Sequence, residues 1–328
     1  MLSVYCLEVV VEAATPLALD PYCGSALRGA FFRSLWGRFC TNRESPTCEV
    51  CPLVTACPVA SLVAPLRDEA PHGRNVPRPY IITPPYNEGV RRYEQGETFT
   101  FGFALIGDAV KLYPYVVRAF QEMEHNNLGH PLAELHGKRG KILLREIHSS
   151  HPITGEREVL WRRGDKRPEA LRLCVTSRDV ALRAQQLPTD HVTIHFLSPT
   201  RLVADERVVR VPDLSTLILR LIQRLEQVQQ EYGRSTTGEE EITVYGREGY
   251  LLLKEQTAQI RLECNETKWV DIQSYSTRQR QSMPIGGIVG RASFVGDISQ
   301  LRELLAWGEI LRVGKNIVKG GGKYRLEA

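Results

Sequence analysis

Gly286-Gly-Ile-Val-Gly-Arg-Ala-Ser-Phe-Val-Gly-Asp297 runs into Ile298-Ser-Gln-Leu-Arg-Glu-Leu-Leu-Ala-Trp-Gly308 and ends in Gly314-Lys-Asn-Ile-Val-Lys-Gly-Gly-Gly-Lys-Tyr-Arg-Leu326. This stretch decides the fold. Its first part reads as a strand over Gly287 to Val295. A helix follows. Asp297 can accept at its start, with Gln300 in capping-box position. Ile298, Leu301, Leu304 and Leu305 share one face at helical spacing. Gly308 stands where a helix is expected to stop. The segment Gly314 to Gly322 then holds four glycines with Lys315, Asn316 and Lys319. Such a loop lets backbone N–H groups approach a phosphate while lysines supply charge; the alternative is a plain hairpin tip. A last strand follows it.

Working outward, the same order extends through the second half. Val192 to Phe196 opens it as a strand. Pro212-Asp-Leu-Ser begins a helix faced by Leu214, Leu217, Ile218, Leu221, Ile222, Leu225 and Val228. Polar residues near Ser235 to Gly238 end that region. Strands are expected at about 258–264 and 268–274. The first half repeats the pattern. Ser3 to Ala13 alternates as a strand, and Gly24 to Phe39 is a helix with Leu27, Ala30, Phe31 and Leu35 inward. Tyr80 opens an extended edge, Glu97 to Ile106 is a strand, Ala109 to Asn126 a helix, and Lys141 to His148 a strand. One more strand fits near Glu156 to Trp161. Both halves therefore read βαββαβ, and the fold class is α+β with tandem ferredoxin-like domains. A charged, proline-bounded linker is placed within 162–188. The domains are then 1–185 and 186–328.

A chain of 328 residues with 42% hydrophobic content is long enough for two cores. The net charge of +4 permits a nucleic-acid partner without requiring one. Locally, residues 134–183 hold twelve Lys/Arg against seven Asp/Glu, and residues 270–328 nine against five. No targeting or membrane segment is read, which points to the cytoplasm. Four of the eight cysteines, Cys40, Cys48, Cys51 and Cys57, cluster in an insertion near 40–58. One pair is spaced Cys-x-x-Cys. Four thiolates suit a closed structural zinc site; the two Cys-Pro steps also suit a [4Fe–4S] cluster. A closed four-thiolate site leaves no open position, so metal catalysis is not expected there. Arg28, Arg33 and Arg38 fall outside the apolar stripe of the first helix, as a solvated face or a cationic edge.

The C-terminal stretch resembles the glycine-rich loop of the CRISPR-associated repeat-processing endoribonucleases of the RAMP superfamily. So do Trp269-Val-Asp-Ile-Gln-Ser-Tyr-Ser-Thr-Arg-Gln279, Gly286-Gly-Ile-Val-Gly290, Phe294-Val-Gly-Asp297 and Leu304-Leu-Ala-Trp-Gly-Glu-Ile-Leu-Arg-Val-Gly314. Thr193-Ile-His-Phe-Leu-Ser-Pro-Thr-Arg-Leu202 resembles the strand that opens the family's second domain. Gly24-Ser-Ala-Leu-Arg-Gly-Ala-Phe31 resembles its first helix. One departure stands out: Gly321 replaces a large apolar residue that the family usually carries between its last glycines.

The resemblance implies metal-independent cleavage of CRISPR repeat RNA. The ribose 2′-oxygen attacks the adjacent phosphate, leaving a 2′,3′-cyclic phosphate and a 5′-hydroxyl. It implies Arg28 as the phosphate-stabilising cation. The family's histidine lies shortly after the first helix, where this chain has its cysteines; His72, the first histidine, is the candidate base. Tyr22, Arg33 and Arg38 are reserves, and His148 and His151 a second pair. Arg33, Tyr275, Arg278, Gly314, Lys315, Asn316, Lys319, Gly320 and Gly322 are expected at the RNA. Other CRISPR effector subunits are expected partners. A non-catalytic crRNA-binding RAMP subunit is the alternative.

Overall fold

The structure, a computed structural model, describes residues 2–65, 76–87, 89–233, 246–276 and 281–327. It divides into two compact units, one built mainly on Leu2–Val175 and the other on Thr176–Gln230 and the C-terminal residues.

The first unit opens with β1 (Ser3–Ala13), β2 (Leu17–Leu19), α1 (Gly24–Phe39) and α2 (Pro58–Val63). Next come β3 (Tyr80–Thr83), β4 (Arg91–Tyr93), β5 (Thr98–Ile106) and α3 (Tyr113–Glu122). It closes with β6 (Leu128–Leu132), β7 (Lys138–Gly140), β8 (Ile142–Ser150) and β9 (Arg157–Arg162). The main sheet runs β3-β5-β1-β8-β9, and all these pairs are antiparallel. With β1, β3, β5 and β8 counted as first to fourth, the order is 2-3-1-4, that of the split βαβ. Alternation sets the face of β1: Leu7, Val9, Val11 and Ala13 are buried, while Glu8, Val10 and Glu12 are not. Phe31 of α1 sits at the centre of the core. Its ring lies 5.6 Å from Tyr80, 5.0 Å from Phe103 and 5.7 Å from Phe120.

The short β10 (Val175–Thr176) also pairs β1 and spans the division between the units. The second unit then has α4 (Ser177–Gln185), β11 (His191–Thr200), β12 (Leu202–Ala204), β13 (Arg207–Val209) and α5 (Leu214–Tyr232). It continues with α6 (Gly246–Ala258), β14 (Arg261–Val270), β15 (Gln273–Ser276), β16 (Gln281–Pro284) and β17 (Gly287–Val295), and ends with α7 (Arg302–Leu311) and β18 (Tyr324–Glu327). Its sheet runs β14-β17-β11-β18, again antiparallel and again 2-3-1-4. The seven apolar residues that sequence places on one face of α5 are all buried.

Several boundaries differ from expectation. The units divide at Val175/Thr176 rather than after residue 185. The expected linker contains α4, which a Thr176/Asp179 capping box starts and which packs on α7. The Arg183 guanidinium reaches Glu309 at 3.1 Å and the Leu326 carbonyl at 2.9 Å, tying α4 to α7 and β18. The two strands expected at 258–264 and 268–274 are the single strand β14 and the start of β15. The helix expected over 109–126 is shorter, because Pro114 sits in the first turn of α3. The last helix starts later and runs past Gly308. Asp297 accepts from the Ser299 N–H at 2.9 Å in the preceding turn instead of capping it. Gly308 lies mid-helix because a Cβ there would stand 1.9 Å from the Tyr324 hydroxyl. That hydroxyl donates to the Leu305 carbonyl at 2.7 Å. Among the described residues no helix is long and apolar enough to cross a membrane.

Candidate functional site

In the first unit, the polar side chains converge where α1 meets the β6–β7 hairpin. The hairpin lies against β2 with almost no side chain between them. Gly129, at φ +80°, would place a Cβ only 2.2 Å from the Ala18 carbonyl oxygen, so only glycine fits there. This contact sets the next residue, His130, beside Asp20. His130 Nε2 and Asp20 Oδ1 are 2.8 Å apart. Two guanidiniums grip the same segment: Arg139 donates to the Gly129 carbonyl at 2.9 Å, and Arg33 to the Asn127 carbonyl at 3.2 Å. Neither arginine forms an ion pair among the described residues. Partial burial, with repulsion from Arg139, lowers the Arg33 pKa from its ordinary value. The guanidinium remains a cation of this segment.

Tyr22 stands in the turn before α1. Burial, with the neighbouring Tyr86, pushes its phenol up. It stays protonated and can donate but not act as a base. Cys23 is buried at the helix start, and desolvation pushes its thiol up to about 12, so it is no nucleophile. Arg28 lies on α1 with its Nε buried and unpartnered among the described residues. Arg38 is on the exposed end of α1, 3.7 Å from Glu122. His72 lies outside the described residues.

In the second unit, the glycine-rich segment is a compact knuckle clamped to the end of β11. The N–H groups of Lys319, Gly320 and Gly321 donate to the carbonyls of Asn316, Ile317 and Asn316 at 2.8, 3.0 and 3.1 Å. Gly322 N–H donates to the Pro199 carbonyl at 3.1 Å, and Lys323 N–H to Ser198 Oγ at 2.8 Å. The expectation that this run exposes its N–H groups to a phosphate is therefore corrected. The glycines are needed because backbone meets backbone. Gly322 has φ +75°, and a Cβ there would lie 1.9 Å from the Val313 carbonyl oxygen. Gly321, where the family usually has a large apolar residue, is buried against the carbonyls of Lys315, Pro199 and Asn316. The polar face of the knuckle is Lys315, Asn316 and Lys319. Asn316 is left-handed at φ 64° and Lys315 is exposed.

The Lys315 N–H donates to the Arg201 carbonyl at 3.0 Å, which joins the knuckle to a second cationic feature. The Arg201 and Arg210 guanidiniums lie 5.7 and 4.8 Å from the ring centre of Trp269. Such stacking holds a guanidinium in place without neutralising it. The Trp269 Nε1–H donates to Asp271 at 2.7 Å, which fixes the ring. Arg201, Arg210 and Lys315 form no ion pair among the described residues. Tyr275 lies on β15, and Arg278 is outside the described residues. Trp269, Arg201 and Arg210 were missed by sequence reasoning. The signal was present as an aromatic among arginines, but strand pairing is needed to bring them together.

Residues 194–324 match the family model of the CRISPR-associated endoribonuclease Cas6, and residues 2–173 match AF_1859_N, an N-terminal domain. The second half of the chain carries a Cas6-type domain. No curated protein is similar enough to match. Solved structures share the fold. A Cas6 product complex is 14% identical at TM-score 0.54, with 99% of each chain covered. Cas6 of Thermus thermophilus is 14% identical at TM-score 0.53, over 100% of this chain and 99% of that one. A chain of a partial Cas6-RT-Cas1–Cas2 complex is 13% identical at TM-score 0.59; it covers all of this chain but only 46% of its own length.

The remaining histidines and the cysteines sit apart from these features. His148 is buried on β8, with Nε2 2.6 Å from Glu146. His151 is buried too, and its Nδ1 accepts from the Thr154 N–H at 3.1 Å. His148 thus serves β8 and His151 the β8–β9 turn. His195 shares the Glu327 carboxylate with Arg291 and Arg325. The cysteines mark successive local ends. Cys40 follows α1, Cys48 and Cys51 bracket a single 3₁₀ turn, and Cys57 precedes α2. Asn42 lies between two of them, its carbonyl 3.5 Å from Cys40 Sγ and its amide 3.6 Å from Cys51 Sγ. Among the described residues there is no disulfide and no group of three or more His, Cys, Asp or Glu placed to hold a metal ion.

Proposed function

We propose that this protein is an endoribonuclease that cuts CRISPR repeat RNA in precursor crRNA in the cytoplasm, by attack of the ribose 2′-oxygen on the adjacent phosphate. The observation that carries the reading is the cationic surface of the second unit. Among the described residues Arg201, Arg210 and Lys315 form no ion pair, and the first two stack on the Trp269 ring. Phosphate charge and base stacking are what such a surface recognises. The attack needs a base at the 2′-hydroxyl, a proton for the leaving 5′-oxygen and cations for the phosphorane charge. Arg28 is one candidate for such a cation. Its Nε is buried without a partner among the described residues, so the outer end of the fork is the part left to meet an anion. Tyr22 can donate, and Lys319 with Asn316 extends the backbone contacts. The cut guide RNA then stays bound and is presented to other CRISPR effector subunits.

The test is cleavage of the cognate repeat RNA in excess EDTA, beside the same RNA with a single 2′-deoxy nucleotide at the cut site. Cleavage in EDTA is expected, with a cyclic phosphate end, and the deoxy substrate should be inert. Cutting of the deoxy substrate, or a need for a divalent ion, would overturn the mechanism. A second reading, a crRNA-binding RAMP subunit without cleavage, draws on the absence of histidine from α1 and the cysteine loop. It is supported if the RNA binds tightly and is never cut.

For the loop carrying Cys40, Cys48, Cys51 and Cys57 we propose one structural zinc ion. The donor set suits it chemically: four thiols on short turns of one loop, two of them spaced Cys-x-x-Cys. Among the described residues the thiols do not converge, so loading would draw Cys40 and Cys51 together in place of Asn42. Elemental analysis should find about one zinc per chain, lost on Cys51→Ser together with thermal stability of the first unit. Iron with sulfide and a brown colour would replace zinc by a [4Fe–4S] cluster. Neither metal would leave four plain thiols.

A further inference from the structure

We infer that His130 is the general base of RNA cleavage, positioned by Asp20 and flanked by Arg33 and Arg139 as the cations that receive the scissile phosphate. This rests on the reading of the chain as a repeat-cleaving ribonuclease. It assigns that chemistry to residues brought together from α1, the turn before it and the β6–β7 hairpin.

Three observations carry it. The first is the imidazole–carboxylate pair at 2.8 Å. A carboxylate can only accept, so the pair places the ring hydrogen on Nε2 and leaves Nδ1 as the nitrogen that can take a proton. No partner among the described residues occupies Nδ1. The second is access. The side chains of His130 and Asp20 are 45% and 57% exposed, so a phosphodiester can reach them, unlike His148 at 7%. The third is the uncompensated charge. Arg139 and Arg33 donate to the carbonyls of Gly129 and Asn127, on the segment leading into His130. Like charges repel at this range unless an anion lies between or beside them. The nearby Arg92, by contrast, is held by Glu94 and Glu134 at 2.8 and 2.6 Å.

The other described histidines fail one of these conditions. His148 and His151 are buried, and His195 shares its carboxylate with two arginines. His191 pairs only with its own neighbour Asp190, and exposed His125 lies 3.9 Å from Glu122. The His136 ring forms neither an ion pair nor a hydrogen bond among the described residues.

The step balances as a transesterification. His130 Nδ1 takes the 2′-hydroxyl proton as the O2′–P bond forms. The P–O5′ bond breaks, and the leaving oxygen takes a proton from a solvent water. The hydroxide so formed discharges the imidazolium. Arg33 and Arg139 hold the non-bridging oxygens as charge builds on them. Asp20 never loses or gains the proton; it holds the ring and its tautomer.

The test is single-turnover cleavage of the cognate repeat RNA by the full chain, with RNA affinity measured in parallel. His130→Ala should lower the rate about 10²–10⁴-fold, the range for a lost general base, and leave affinity within about threefold. Free imidazole in the buffer should restore part of the rate, which a structural role would not allow. Asp20→Asn keeps the shape of the side chain; it should lower the rate without changing affinity or the melting temperature. Arg139→Ala should lower both rate and affinity. A His130→Ala protein that is folded and cuts within threefold of the parent overturns the assignment, as does loss without any imidazole rescue. If the parent protein itself binds but does not cut, the endoribonuclease reading fails first and this assignment with it.

Discussion

Gly322→Ala is expected to destabilise the second unit by about 3–5 kcal/mol, in the exceptional range for a point substitution. A residue with a side chain already resists φ near +75°, by about 1–2 kcal/mol. Here the added Cβ would also stand 1.9 Å from the Val313 carbonyl oxygen, so the backbone must move. Movement at this point breaks the Gly322 N–H bond to Pro199 and the Val313 N–H bond to Gly322. Chemical denaturation followed by Trp269 and Trp307 fluorescence would read the loss. RNA binding should fail because the knuckle is no longer formed. The contrasting variant is the double change Lys315→Ala with Lys319→Ala. Surface changes of this kind shift stability by no more than about 0.5 kcal/mol. The salt dependence of RNA affinity should instead drop by about 1.4 in log–log slope, two contacts at about 0.7 each. If Gly322→Ala folds and melts as the parent does yet loses RNA, the glycine acts on the RNA directly and the packing account is wrong.

That contrast shows where the sequence was legible and where it was not. Local regularity came through. The α5 stripe from Leu214 to Val228 is buried throughout, and α1 runs over the expected residues with Leu27, Ala30, Phe31 and Leu35 inward. β1 occupies its expected span because alternation is a property of the strand itself. The two 2-3-1-4 sheets follow from the same periodicities. Features set by distant approach stayed hidden. Gly308 has the local look of a helix stop, yet its role is decided by Tyr324, which needs the space its Cβ would take. The β6–β7 hairpin has no alternation to announce it, since Leu128-Gly-His-Pro-Leu owes its place to backbone contact with Ala18. His130 was therefore invisible, being 110 residues from its partner Asp20. The glycine run was read for its N–H groups, whereas the structure bonds those groups internally. α4 was the exception, since Thr176 and Asp179 are a local signal that the surrounding charge obscured.

Phe31→Ala is the second large effect, and it links the core to the candidate catalytic face. Phe31 is 1% exposed and its ring meets Tyr80, Phe103 and Phe120. These three rings come from β3, β5 and α3, so Phe31 is the residue through which α1 is seated on the sheet. Its truncation should cost about 3–5 kcal/mol, transfer and cavity together. Phe31→Leu, which refills much of the volume, should cost under about 1.5 kcal/mol. Hydrogen exchange separates the units where a single melting curve would blend them. Protection should fall across 3–13, 24–39 and 98–106 and stay unchanged across 191–200 and 287–295. Arg33 lies two residues from Phe31 on the same helix and reaches Asn127 across the surface. A loosened α1 should therefore slow RNA cleavage even at temperatures where the first unit remains folded. Phe31→Leu, with the helix still seated, should cut as the parent does. Equal rates for Phe31→Ala and the parent in the folded range would show that α1 need not be held for the chemistry, and would move the catalytic centre away from this helix.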